Sequence, residues 1–264
     1  MKPFISYPSI SFNMVAITRH IHSIDGLDHP FLGLKIVPYL VEERPNDLTL
    51  IDTCFTSELP KLKSYIINAG YDLDNIKRII LTHVHIDHIQ AANELKRLSG
   101  AKLYSHWIEA RYLADDPQYQ GAPSHETVQN LLKKFGAKME DIGKKFGHFN
   151  VDPISVDEQL QDGDMIGSLK IIHTPGHTPG HISLYSEKHK ILFGADCLFK
   201  SVLGIDGLFI PSEVATDPIT AAISVRRISQ LKFGMLLLSH QVFPILENAQ
   251  KYVDRAAFIT FLKS

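Results

Sequence analysis

The sequence predicts an α/β protein in which two β-sheets pack face to face with helices outside. Three observations carry that prediction. Strand-like segments followed by helix-like segments occur twice along the 264 residues, the order that builds layered α/β architectures. Short apolar, β-branched runs such as IKRIILT at 76–82 have the character of buried strands. Leu62, Tyr65, Ile66 and Ala69 recur at helical spacing, and Gly70 follows as a C-terminal stop.

Taken in order, VPYLVEE (37–43) and LTLIDT (48–53) read as two strands joined by the turn residues Arg44, Pro45, Asn46 and Asp47. The helix over 58–69 comes next, then the strand IKRIILT. HIQAANELKRLSG reads as one helix ending at Gly100, and AKLYSH as the strand after it. Residues 107–150 differ in character. Ser124 is placed to cap a helix carrying Val128, Leu131, Leu132 and Phe135, with Gly136 at its end. Met139, Ile142 and Phe146 suggest a second short helix. This stretch reads as a helical insertion that either covers a cleft or caps the core. Beyond it the β pattern returns in SLKIIHT, HISLYSE and KILFGAD, with Asp162-Gly163 and 188–190 as turns. Asp217 is an N-cap, followed by Pro218 at the first position of a helix running to about Leu231. MLLLSH is a further strand, and a last helix runs to the C-terminus.

Composition narrows the function classes. Apolar residues make up 44% and charged residues 21%, the balance of a soluble globular protein. A net charge of -2 gives no basic face for nucleic acid and none for an anionic membrane. The N-terminus MKPFISYPSISFNM lacks a secretory pattern, and no run approaches the roughly 20 apolar residues of a membrane span. Cys54 and Cys197 are too few for a disulfide framework, so a cytoplasmic setting is expected. The telling number is 14 histidines against a single Trp, which directs attention to metal ligands.

Thr82-His83-Val84-His85-Ile86-Asp87-His88 places three histidines and an aspartate within six residues, where an apolar strand gives way to a helix. Strand ends opening into loops are where α/β folds aim side chains at one point. His83 and His85, two apart in extended chain, project the same way and can share a metal. Asp87 and His88 enter the helix and point elsewhere, as a second ion nearby would need. A helix start with Asp87 as cap and solvated histidines is the plain alternative. Three later features add donors at strand ends: His177 in Thr174-Pro175-Gly176-His177-Thr178-Pro179-Gly180-His181, Asp196 in Phe193-Gly194-Ala195-Asp196, and His240 after Leu236-Leu237-Leu238-Ser239.

On these residues the sequence resembles the metallo-β-lactamase-fold hydrolase superfamily, from about Val37 to His240. The family pattern is His-x-His-x-Asp-His, then Pro-Gly-His, then Gly-x-Asp, then a strand-end His. It falls on His83, His85, Asp87, His88, His177, Asp196 and His240. The resemblance implies a single domain over 1–264, a four-layer αββα sandwich with the helical insertion at about 107–150. It implies that His83, His85 and His177 hold one metal, that Asp87, His88 and His240 hold the other, and that Asp196 bridges them. Asp52 corresponds to the family's acidic residue after an early strand. There it would orient a ligand histidine, unless it only initiates a turn.

Imidazole and carboxylate donors suit zinc, the metal expected first, and also accept iron or manganese. Two such ions at roughly 3.5–4 Å acidify a shared water toward a pKa of about 7. With the resemblance, this implies hydrolysis of an ester, thioester or lactone in a small-molecule substrate as the expected reaction. A bridging hydroxide would attack the carbonyl, and the other metal or Asp87 would assist the departing group. Gly194-Ala195-Asp196-Cys197-Leu198-Phe199 resembles the thioesterase branch, whereas lactonases place a Tyr where Phe199 stands. Asp196 occupies the position at which β-lactamases with a cysteine ligand carry it. A mononuclear-iron persulfide dioxygenase and a phosphodiesterase of the same fold are the alternatives.

His181 reads as support for a ligand or as packing, and His106 and His125 as surface or core residues. His20, His22 and His29 lie in a poorly patterned stretch and receive no role. Tyr112, Tyr119 and Phe135 read as core aromatics or a pocket lining. A lid and a homodimer contact are both open for the insertion.

Overall fold

Alternation along the strands sorts their side chains onto two faces, and three apolar clusters record where each face goes. The computed structural model describes residues 14–29, 34–116, 152–200, 208–209, 215–240, 245–247, 249–251, 253–254 and 256. The helices expected over Ser124–Phe146, with His125, Tyr119 and Phe135, lie outside the described residues.

The first half contains β1 (Met14–Thr18), β2 (Ile21–Ile24), β3 (Leu27–Asp28), β4 (Lys35–Ile36), β5 (Tyr39–Arg44), β6 (Asp47–Ile51), α1 (Leu59–Asn68), β7 (Ile76–Leu81), α2 (Ile86–Ile89), α3 (Ala92–Ser99), β8 (Lys102–His106) and α4 (Trp107–Leu113). The second contains β9 (Glu158–Leu160), β10 (Met165–Ile166), β11 (Leu169–His173), β12 (Ile182–Ser186), β13 (Ile191–Ala195), β14 (Phe199–Lys200), β15 (Leu208–Phe209), α5 (Pro218–Ile228), β16 (Met235–Leu238) and β17 (Ile245–Glu247).

Among the described residues, seven strands form one sheet in the order β1-β2-β5-β6-β7-β8-β9, and six form another in the order β10-β11-β12-β13-β16-β17. Strands β6 to β9 run parallel, as do β13 and β16, while the remaining pairs are antiparallel. Tyr39, Val41, Ile51 and Ile80 of the first sheet meet Ile171, Leu184, Phe193 and Leu237 of the second in one buried cluster. Their sequence neighbours Leu40, Leu50 and Ile79 face the other way, against Leu62 and Ile66 of α1 and Leu95 of α3. On the far side, Ile172, Leu192, Leu236 and Leu238 pack against Val225 and Ile228 of α5. The layers are therefore helix, sheet, sheet, helix, as expected from the sequence. Strands β13 and β16, and β7 from Ile79 to Leu81, read as continuous apolar runs because both of their faces are covered there.

Two local expectations need correction. The helix foreseen from His88 to Gly100 is two helices, α2 and α3. The His88 carbonyl accepts from Thr53 N–H at 2.8 Å and Thr53 Oγ1 at 2.6 Å, and Ala91 N–H turns to the Cys54 carbonyl at 3.0 Å. These bonds take groups that an unbroken i→i−4 ladder would use. The N-terminal stretch is patterned after all, forming β1 and β2 at one edge of the first sheet. The strand expected at SLKIIHT is present as β11, preceded by a short hairpin in which Gly167 adopts φ 58 and reverses the chain between β10 and β11.

Candidate metal centre

Every expected metal-site residue lies at one edge of the two sheets, where the parallel strands end. His83 and His85 follow β7, with Asp87 and His88 in α2; His177 lies between β11 and β12; Asp196 follows β13 and His240 follows β16. Hydrogen bonds tie the sheets together at this edge, from Ile182 N–H to the Thr82 carbonyl at 3.0 Å and from Tyr39 Oη to the Leu238 carbonyl at 2.6 Å. Ala195 is held at φ 47, a conformation uncommon outside glycine, and the chain turns there to present Asp196.

The side chains fall into two buried groups: His83, His85, His177 and Asp196, and Asp87, His88 and His240. In the first, His177 Nε2 faces His85 Nδ1 at 2.9 Å and lies 3.4 Å from Asp196 Oδ2, which is 3.8 Å from His83 Nε2. In the second, His240 Nε2 is 3.1 Å from both His88 Nε2 and Asp87 Oδ2. Asp196 Oδ2 also approaches His240 Nε2 to 3.2 Å, so one carboxylate touches both groups.

The surroundings aim the ring nitrogens inward. Asp52 Oδ1 accepts from Thr82 N–H at 2.8 Å, and its Oδ2 accepts from Thr82 Oγ1 at 2.8 Å and pairs with His88 Nδ1 at 2.9 Å. With its own proton given to Asp52, Thr82 Oγ1 accepts from His83 Nδ1 at 3.0 Å, which leaves His83 Nε2 as a lone pair. His240 Nδ1 donates to the Lys35 carbonyl at 3.2 Å. His181 Nε2 accepts from Asp196 N–H at 3.2 Å while its Nδ1 meets Thr174 Oγ1 at 2.8 Å, so His181 fixes the backbone that carries Asp196. Asp52 likewise contacts the histidine it was expected to orient.

Electrostatics divide the cluster. Burial, with neighbouring imidazoles, drives His83 and His85 well below the ordinary histidine range, leaving them neutral donors. Burial opposes ionisation of Asp87 and Asp196, yet His88 and His240 hold both carboxyls well below the usual range. Burial likewise opposes protonation of His240, but Asp196 and Asp87 outweigh it and lift the ring to about 10. His88 is raised in the same direction by Asp87 and Asp52 against its burial. Positive charge is what these two carboxylates attract.

This donor set fits a pair of cations. For metal–ligand bonds of about 2.0–2.1 Å, the edge of a tetrahedron is about 3.3–3.4 Å, and the donor contacts here run from 2.9 to 3.8 Å. Among the described residues, His83 Nε2 and Asp196 Oδ1 are buried polar atoms without a hydrogen-bond partner, which a well-packed interior seldom tolerates without another partner such as an ion. The histidine and aspartate groups are therefore suited to two metals. His85, Asp87 and His240 are 8%, 6% and 6% exposed, against 0% for His83 and His88, so the cluster opens on the former side.

Two neighbours of the cluster had no signal in the sequence. His29, just past β3, is buried with Nε2 3.7 Å from Asp87 Oδ2 and its ring edge-on to His240. Burial lowers its pKa to about 4 against the pull of Asp87. Glu109 of α4 is fully buried behind the loops bearing His83, His85 and His177. An acidic residue in the first turn of a helix is ordinary, so nothing marked it out. His106, by contrast, is a structural residue: it caps α4 and stacks on His173 with ring centroids 4.2 Å apart. Tyr112 packs partly buried against the outer core of the first sheet. Among the described residues, no helix is long and apolar enough to cross a membrane.

Residues 33–240 match the family model of the metallo-beta-lactamase superfamily. The chain is 29% identical over 145 residues to the hydroxyacylglutathione hydrolase GloC of Haemophilus influenzae, covering 53% of this chain and 58% of that one. It is 31% identical over 124 residues to the acyl-coenzyme A thioesterase MBLAC2 of Gallus gallus, covering 46% and 41%. The chain thus spans little more than half of the first relative and about two fifths of the second. Among solved structures, the metallo-beta-lactamase family protein TTHA1429 from Thermus thermophilus superimposes with a TM-score of 0.70. That match covers 94% of this chain and 81% of that one at 20% identity, a likeness of fold.

Proposed function

This chain belongs to the metallo-beta-lactamase superfamily, and from that premise we propose that it is a dinuclear metal-dependent hydrolase of thioester or ester carbonyl groups in a small-molecule substrate. The observation that carries the reading is Asp196 Oδ2, 3.4 Å from His177 Nε2 and 3.2 Å from His240 Nε2, a single carboxylate shared by two donor groups. In this reading His83, His85 and His177 hold one ion, Asp87, His88 and His240 the other, and Asp196 both. Two divalent ions, zinc before iron or manganese for such donors, supply Lewis-acid polarisation of the carbonyl and a water acidified toward a pKa of about 7.

The protein's part is orientation and proton handling. Asp52 and the Lys35 carbonyl keep the Nε2 atoms of His88 and His240 turned inward, and His181 keeps Asp196 in place. Water adds to the carbonyl carbon, the bond from carbon to sulfur or oxygen breaks, and one proton passes to the departing thiolate or alkoxide. Asp87, on the exposed side of the cluster, is the group we assign to carry that proton.

Two features favour a thioester. The relatives named above act, by their names, on hydroxyacylglutathione and acyl-coenzyme A. Phe199 stands with its ring 5.4 Å from that of His240, so this wall of the site is apolar where lactonases offer a hydroxyl. The test is hydrolysis by the metal-loaded protein across thioesters, lactones, phosphodiesters and β-lactams. Thioester cleavage should lead, disappear on chelation and return with metal. Full activity in the chelated protein, or faster turnover of another class, would overturn the reading.

A further inference from the structure

Glu109 contributes nothing to the donor set, yet its carboxylate joins the two halves of it. Its Oε2 accepts from the N–H of Val84, the residue between His83 and His85, at 2.8 Å. Its Oε1 accepts from Thr178 Oγ1 at 2.9 Å and from Gly180 N–H at 2.6 Å, in the loop that follows His177. Val84 lies in the loop that follows β7 of the first sheet, whereas Thr178 and Gly180 lead into β12 of the second. One side chain from α4 therefore crosses the seam between the sheets at the level of the metal donors.

The neighbouring backbone is built to admit it. A Cβ on Gly180 would sit 2.8 Å from both Glu109 Cγ and Oε1, so only glycine lets the carboxylate come this close. Glu109 is 0% exposed. Burying a carboxylate is costly unless donors satisfy it, and here all three donors come from the two ligand loops. Burial pushes its carboxyl up to about 7, with Thr178, Gly180 and Val84 opposing that rise.

We propose that Glu109 is a positioning residue that locks the loops of His83, His85 and His177 into one unit and thereby sets the metal affinity of that donor group, leaving the Asp87, His88 and His240 group unaffected. The inference rests on the two-ion reading above. It makes Glu109 differ from a general core residue in one measurable way, because its influence is confined to one of two neighbouring ions. Partners that orient metal ligands are worth about 10–100-fold in affinity.

The test is zinc titration against a chromogenic chelator in two backgrounds, His240→Ala, which leaves the first group whole, and His177→Ala, which leaves the second. Glu109→Gln exchanges one acceptor oxygen for an amide donor facing an N–H or O–H. It should weaken zinc binding about tenfold or more in the His240→Ala background and leave it unchanged in the His177→Ala background. Where Glu109→Gln does not fold, as judged by circular dichroism, Thr178→Val removes a single donor and should act in the same direction by a smaller factor. Equal losses in both backgrounds, or none in either, would overturn the proposal. Failure of the hydrolase reading would look different: a wild-type chain that takes up both ions yet cleaves no ester or thioester.

Discussion

At the residue scale, Asp52 shows how much of this site is arranged by groups that do not belong to the donor set. Its backbone takes φ 61, a conformation open mainly to glycine, asparagine and aspartate. From there its two oxygens reach Thr82 and the His88 ring together. Replacing Asp52 by Ala should lower the affinity of the Asp87, His88 and His240 group about 10–100-fold, read by chelator competition. Unchanged affinity would reduce Asp52 to a turn residue. Asp196→Ala goes further, because it removes the shared carboxylate. Metal content and hydrolysis should fall together, measured by elemental analysis and turnover of the same preparation.

At the element scale, the loop bearing His177 depends on α5 behind it. Gly176 sits at φ 126, and an added Cβ would lie 2.1 Å from the backbone nitrogen of Ala221. Thr216 N–H and Asp217 N–H bond to the carbonyls of His177 and Gly176 at 3.0 and 2.8 Å, and so tie the loop to the start of the helix. Gly176→Ala should therefore cost stability on the order of 1–3 kcal/mol by denaturant unfolding and reduce metal uptake as well. Asp217→Ala removes a cap that accepts from Ile219 and Thr220 N–H at 3.0 Å each, and should cost about 1 kcal/mol. The legibility of the sequence also varied by element. His83 to His88 could be read because four donors fall within six residues beside an apolar run, and strands β13 and β16 because burial on both faces leaves them wholly apolar. The break between α2 and α3 could not be read, since it depends on Thr53 and Cys54, more than thirty residues away. His29 reaches Asp87 only through the β3–β4 hairpin, and Glu109 meets its donors only when the two sheets close.

For the whole molecule, the layered core brings four separate strand ends to one edge, and the buried donors there have no use in an apolar interior without cations. Adding zinc to a chelated sample should raise the melting temperature in a concentration-dependent way, because an ion that binds only the folded state stabilises it by mass action. The most direct measurement is anomalous diffraction at the zinc edge from zinc-loaded crystals. Two peaks roughly 3.5–4 Å apart are expected, one among His83, His85 and His177, the other among Asp87, His88 and His240, with Asp196 reaching both. One peak only, or two peaks away from these side chains, would contradict the two-ion reading.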